Sequence, residues 1–393
     1  MAGHARPLQG VRVVELARIL AGPWVGQTLA DLGADVIKVE SPAGDDTRTW
    51  GPPFVTRSDG TREAAYFHAC NRGKRSVIAD FRKAEDLEFI RALIAEADVV
   101  VENFKLGGLT RYGLDYAALA ESNPRLIYCS ITGFGQTGPY APRAGYDFVV
   151  QGLSGMMDLT GAPEAEPQKI GVALADIITG LYATVAIEAA LIERNATGSG
   201  QNIDMALLDS MVGVLANQAL NFLASGVAPR RLGNAHPNIA PYQVFEASDG
   251  PFILAVGNDE QFRRFCTIIG RQAMPADPRF IGNAERVAHR SELAELIGAS
   301  VRAWRKADLL AACDKTGIPA GPINRVDEVF ADPQVQARGM CVELGEGLRG
   351  VRTPIVMSGA MAANDVPAPQ LGEHDTAIRA GKKWTTLNRE SRA

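Results

Sequence analysis

The sequence predicts an α/β protein with a large domain on a parallel sheet and a smaller α+β domain. Three observations carry this reading. Through the first two hundred residues, short apolar runs alternate with helix-length segments, the pattern of β-α-β units. A crossing dense in breakers, GVAPRRLGNAHPNIAPY (226–242), then separates this region from a stretch of different texture. The chain's 393 residues also exceed what one compact core usually holds. Together these describe a Rossmann-like layer followed by a second, smaller unit.

The elements follow in order. VRVVEL (11–16) is a short apolar strand. AGPWVGQTLADLG (21–33) is a helix, with Pro23 suited to its first turn and Gly33 to its stop. ADVIKVE (34–40) is the next strand, completing one β-α-β unit. The pattern recurs as helix 84–97, strand DVVVENF (98–104), a helix around 107–121 and strand RLIYCSI (125–131). QNIDMALLD (201–209) reads as a strand leading into a helix over 210–225. After the crossing come strands QVFEA and PFILAVG, helices near 259–269, 291–302 and 306–316, and GIPAGPIN (317–324). The expected division is a large domain over 1–200, a linking helix and crossing over 201–242, a small domain over 243–325, and a segment 326–393 returning to the large domain.

Composition is that of an ordinary globular protein, 46% apolar and 22% charged, with net charge −5 and no basic run, which argues against nucleic acid as a partner. MAGHARPLQG lacks an apolar core of signal-peptide length, and no uninterrupted apolar run reaches membrane-spanning length. The expectation is a cytoplasmic protein without a membrane partner. Five cysteines lie far apart and never as C-x-x-C, so they read as reduced packing residues. Five scattered histidines form no H-x-x-x-H pair, so no metal site is expected.

Two motifs tempt and fail. GFGQTG (133–138) fits G-x-G-x-x-G after a strand, but Pro139 and Pro142 follow where a dinucleotide site needs a helix to begin. What remains is a glycine-rich loop near a ligand. GLSG (152–155) is not a nucleophile elbow, and no P-loop exists.

One carboxylate stands out. In IGVALADIITGLYATVAIEAAL (170–191), Asp176 lies among small and apolar residues at the start of a strongly helical run. A buried charge there needs a partner, a helix end or a task. Capping is the plainer reading, stabilising by about 0.5–2 kcal/mol. The chemical reading uses the same position: a carboxylate kept ionised by a helix N-terminus is a nucleophile without a general base. Small neighbours, Gly171, Ala173 and Ala175, leave room for an acyl group.

Several segments together resemble one family: LAGPWVGQTLADLGADVIKVE, NRGKRSV (71–77), VENFKLGGLTRYGLDY (101–116), NPRLIYCSITGFGQTGPY (123–140), GYDFVVQGLSGMM (145–157), ALADIITG (173–180), GNAHPNIAPYQVF (233–245) and LGEHD (371–375). In order and over nearly the whole chain, they are similar to the class III CoA-transferases. The resemblance implies Asp176 as the covalent catalytic residue, and CoA contacts in the segments holding Ile19, Ala21, Lys74, Arg75, Asn103, Phe104, Lys105, Arg111 and Tyr146. It implies acyl-CoA and a carboxylic acid as substrates, no permanently bound cofactor, and an interlocked homodimer with the active site at the subunit junction. Arg72, Lys74, Arg75, Lys105 and Arg111 are cations suited to the phosphates of CoA. Tyr146 and Asp147 would line the acyl pocket, and amides near Gly135 or in GNAHPN would stabilise oxyanions.

Departures narrow the substrate. Formyl-CoA transferases have a longer glycine run where GNAHPNIAPY stands, and a glutamine where this chain has Leu20. GNAHPNIAPYQVF and GIPAGPINRVDEVFADPQV look more like members taking dicarboxylates with succinyl-CoA as donor, with Arg18, Arg143 or His236 to meet a distal carboxylate. The alternative on the same fold is α-methylacyl-CoA racemisation. Its proton exchange lacks a base here, because Tyr146 stands where racemases carry histidine.

Overall fold

The structure is a computed structural model and describes residues 6–345, 347–360 and 364–384. The chain divides into two compact units, one of residues 1–155, 170–215 and 333–393, the other of 156–169 and 216–332. The boundaries differ from the sequence reading at four places, one of them 326–332, which goes with the small unit. The strand and short helix over 201–213 complete the large unit, 216–242 goes with the small one, and so does 156–169.

The large unit is built on six strands, β1 (Arg12–Glu15), β2 (Asp35–Glu40), β3 (Arg75–Ile78), β4 (Val99–Glu102), β5 (Ile127–Thr132) and β6 (Gln201–Ala206). All are parallel, in the order β3-β2-β1-β4-β5-β6. Strands such as VVVE at β4 are buried on both faces, which is why they read as continuous apolar runs. The order reverses direction between β1 and β4, so their carboxyl ends splay apart and open a crevice. Helices α1 (Ala21–Asp31), α2 (Ala84–Ile94), α3 (Tyr116–Ser122), α4 (Asp147–Leu153), α5 (Leu174–Thr197) and α6 (Leu207–Gly213) cover the sheet.

Two local differences from the sequence reading have clear causes. The helix expected around 107–121 is a 3-10 turn, Thr110–Tyr112, followed by α3. Gly113 between them is left-handed at φ +61°, and Asp115 caps α3 by accepting the Ala118 N–H at 3.0 Å. The helix expected over 210–225 is two, α6 and α7 (Ala216–Ser225), because Ala216 has φ +48°.

Helix α5 is long and apolar enough to cross a membrane by length and composition. Its stripe Ala175, Thr179, Gly180, Ala183, Thr184, Ile187, Ala190 and Leu191 is buried, as in a core helix of a globular unit. Gly180 lets α1 approach: a Cβ there would lie 2.9 Å from the Ala21 carbonyl oxygen. The C-terminal segment from Pro333 belongs to the large unit. The His374 N–H donates to the Ser76 carbonyl, and Asp375 accepts the Ile78 N–H at 3.1 Å, beside edge strand β3.

The small unit contains a three-stranded antiparallel sheet, β7 (Tyr242–Ala247), β8 (Gly250–Ala255) and β9 (Ala320–Pro322), with β8 central. Helices α8 (Asp259–Ile268), α9 (Arg290–Val301) and α10 (Lys306–Lys315) pack onto it close to where the sequence predicts them. Phe245, Phe252, Phe262, Phe265, Ile297 and Leu309 form its core.

Candidate functional site

The crevice at the carboxyl ends of β1, β4 and β5 is a cavity of about 410 Å³. The turn after β1 gives it Arg18, Ile19 and Ala21; the loop after β4 gives Asn103, Phe104 and Lys105; Arg111, Arg143 and Tyr146 complete its polar lining, and Asp176 opens onto it from the first turn of α5. A ligand crevice at this point is what an open parallel sheet of this order provides. The two loops flanking it are tied together. The Arg18 N–H donates to Asn103 Oδ1 at 3.0 Å, and Asn103 Nδ2 donates back to the Arg18 carbonyl at 2.7 Å.

Seven of the nine expected contact residues therefore share one cavity with Asp176. Lys74 and Arg75 do not. They stand at the amino-terminal end of β3, whereas the crevice lies at carboxyl ends. Lys74 is 1% exposed, with Nζ 2.8 Å from Glu15 Oε2, in a buried ion pair outside the cavity. Arg75 pairs with Asp35 at 2.6 Å and donates to the Lys383 carbonyl. Arg72, also offered by the sequence, is buried against Asp31 at 2.5 Å and does not line the crevice. His236 lies in the small unit, where its backbone N–H donates to the Tyr242 carbonyl.

The environment of Asp176 corrects both sequence readings of it. It does not cap α5: Ala173 occupies the N-cap, and no described residue donates a hydrogen bond to the Asp176 carboxylate. The capping acceptor comes from 28 positions away, where Asp147 Oδ1 accepts the Ala175 N–H at 2.8 Å. Gln151, fully buried, holds Asp147 Oδ2 at 2.8 Å and accepts the Ile170 N–H at 2.9 Å. Asp176 is thus left free of structural duty. Nor does the helix end keep it fully ionised at neutral pH. Burial first, and the nearby Asp147 charge second, push its pKa up to about 7. The carboxylate is desolvated and more basic than usual, which suits a nucleophile better than a permanently ionised one.

Further groups shape the same crevice, and two of them, Asp45 and Glu102, the sequence did not single out. Ile19 is a β-branched residue at φ +72°, a backbone conformation that needs support. Asp45 supplies it, accepting the Ile19 N–H at 3.2 Å. Beneath the loop after β4, buried Glu102 accepts the Phe104 N–H at 2.7 Å, and burial pushes its pKa up to about 7. The GFGQTG segment forms no helix. Gly133 lines the crevice and meets Gly145 backbone to backbone, where a Cβ would stand 2.5 Å from the Gly145 Cα. Among the described residues no cluster of His, Cys, Asp and Glu is arranged to hold a metal ion.

Comparisons with known proteins identify the family. The profile of CoA-transferase family III matches residues 8–375. A succinate–glutarate CoA-transferase of Agrobacterium fabrum is 58% identical over 386 residues, covering 97% of this chain and 96% of that protein. A succinyl-CoA:glutarate CoA-transferase of Homo sapiens is 42% identical, covering 95% of this chain and 86% of the human protein. The crystal structure of a CaiB/BaiF family protein from Brucella suis superposes with a TM-score of 0.86 at 64% identity, covering 95% of this chain and 98% of that one. With a profile spanning nearly all of its length and relatives this similar end to end, the chain belongs to CoA-transferase family III and is an enzyme of that class.

Proposed function

We propose that this enzyme moves CoA from succinyl-CoA to a dicarboxylic acid of the glutarate class, with Asp176 as the covalent carrier. The observation that carries the reading is the crevice itself: a desolvated carboxylate shares it with Lys105, Arg111 and Arg143 and with the loop ends where an open sheet binds its ligand. The substrate class is supported by the names of the two relatives above. Arg18 and Arg143, both on the crevice, are the groups to meet a distal carboxylate; Arg18 is held by Asp46 at 2.8 Å, and Arg143 stacks over Tyr140 at 4.4 Å.

In this mechanism the Asp176 carboxylate attacks the donor thioester carbonyl and forms a mixed anhydride, releasing CoA thiolate. The thiolate attacks the aspartyl carbonyl, giving an aspartyl-CoA thioester and free succinate. The acceptor carboxylate attacks that thioester, forms a second anhydride and releases the thiolate again. CoA finally attacks the acceptor carbonyl and frees Asp176. Acyl activation is conserved at every step, so no nucleotide triphosphate is consumed. Water must stay out, because it would hydrolyse each intermediate.

An interlocked homodimer belongs to the same proposal. Its support is the outer face of α5, where Leu181, Tyr182, Val185 and Ile192 recur at helical spacing and are 43–73% exposed. A face this apolar on a soluble monomer marks an interaction surface. Racemisation on the same fold is disfavoured, since the residue beside Asp147 on the crevice is Tyr146 rather than an imidazole.

The test is mass spectrometry after incubation with succinyl-CoA and hydroxylamine. A hydroxamate is expected on the peptide containing residue 176, absent in Asp176→Ala, together with glutaryl-CoA formation when glutarate is added. Turnover with an unmodified peptide would refute the covalent route, and solvent deuterium at the α-carbon without thioester exchange would favour racemisation.

A further inference from the structure

Four charges are buried together against the turn after β1. Lys38 and Glu15 are 0% exposed, Lys74 is 1% and Asp45 is 3%. Both ammonium groups bind Glu15, Lys38 at 3.0 Å and Lys74 at 2.8 Å, and Lys38 also binds Asp45 at 3.0 Å. Burying ions in this way is rarely the cheapest route to stability, since apolar residues of the same volume often do as well. Of the remaining donors, one goes from Lys74 to Asn71 Oδ1 at 2.8 Å and two reach the turn after β1. Lys38 Nζ donates to the Ala17 carbonyl at 2.8 Å, and Lys74 Nζ donates to the Pro23 carbonyl at 2.8 Å. These two carbonyls bracket the turn that brings Ile19 and Ala21 to the crevice. Between them, Asp45, itself held by Lys38, accepts the N–H of left-handed Ile19. A strained residue persists only where its surroundings over-determine it, and here three buried charged groups grip one seven-residue turn.

We infer that Lys38 and Lys74, coupled through Glu15, are positioning residues for CoA-thioester binding: they hold the Ala17–Pro23 turn in the shape that presents Ile19 and the first turn of α1 to the crevice, and touch no substrate themselves. The inference rests on the proposed placement of CoA in that crevice. It also explains how Lys74 can matter to the cofactor while lying outside the cavity.

The experiment uses the full chain and free CoA, with affinity measured by calorimetry and steady-state kinetics with succinyl-CoA and glutarate. In the double variant Lys74→Met/Glu15→Gln one positive and one negative charge leave together, so Lys38 and Asp45 remain a balanced pair. With the fold verified by circular dichroism, CoA Kd and the KM for succinyl-CoA are expected to rise at least tenfold, and the KM for glutarate to stay within twofold. Asp45→Asn keeps the shape of the side chain but weakens its hold on Ile19, and is expected to raise CoA Kd about threefold; it serves if the double variant does not fold. A folded variant of either kind with unchanged CoA Kd overturns the inference, as does an equal rise in both KM values. Lys105→Ala and Arg111→Ala separate the two readings. If they weaken CoA binding and the buried-network variants do not, this inference alone fails; if they leave CoA Kd unchanged, the crevice is not the CoA site and the proposed function fails with it.

Discussion

Replacing Asp176 with asparagine should stabilise the protein as the pH rises while removing its transferase activity. The folded-state pKa of Asp176 is raised from 3.8 to about 7 by burial and by Asp147. An acid raised on folding holds its proton longer in the native state, so stability falls as pH climbs from about 4 to about 7 and is flat above. Each unit corresponds to about 1.4 kcal/mol. Going from pH 5 to pH 8 crosses about two of those units, a ceiling of about 3 kcal/mol, and partial water access to a half-buried side chain reduces this to about 1.5 kcal/mol. For 393 residues the unfolding entropy is about 0.8 kcal/mol/K, so the difference in Tm between Asp176→Asn and the native chain should widen by about 2 °C between pH 5 and pH 8. Glu102, which also titrates near neutrality, is present in both proteins and cancels in the difference. Paired thermal denaturation scans at the two pH values are the assay, with the asparagine protein checked for deamidation. Parallel Tm curves for the two proteins would show that Asp176 is not desolvated as described, and the account of its nucleophilicity would go with it.

Further outcomes follow from the same contacts. In the native enzyme, kcat/KM for succinyl-CoA should fall about tenfold per pH unit below about 7, because the protonated acid cannot attack. Asp147→Asn keeps an acceptor for the Ala175 N–H but removes the neighbouring charge, so this limb should move to lower pH; Asp147→Ala should also lose about 1 kcal/mol of stability with the cap, read by urea denaturation. Glu102→Gln retains an acceptor for the Phe104 N–H, and should leave the activity limb in place while raising Tm at pH 8 more than at pH 5. Lys105→Ala and Arg111→Ala should each weaken CoA binding about tenfold, about 1.4 kcal/mol, with the loss shrinking at high salt.

Much of the large unit was legible because local pattern and tertiary role coincide there. Continuous apolar runs such as VVVE become fully buried parallel strands, and the loops after β1 and β4 fall at the crevice because chain direction fixes which strand end they occupy. The same rule places Lys74 and Arg75 away from the crevice. NRGKR precedes the strand it leads into, so its side chains lie at the opposite end of the sheet from loops that follow strands. The family resemblance put them among the CoA contacts and their charge suited phosphates, but strand polarity separates a lysine at the crevice from one buried in a network. Asp176 shows the complementary limit. Its position at a helix start was plain from sequence, but whether it caps or reacts depended on which other carboxylate reached the helix end first. That carboxylate is Asp147, held by Gln151, and no spacing rule connects residue 147 with residue 175. Once Asp147 satisfies the backbone, no described residue hydrogen-bonds the Asp176 carboxylate, and burial beside Asp147 works against its charge. A carboxylate held where an amide would fold better is what the proposed covalent role asks of residue 176.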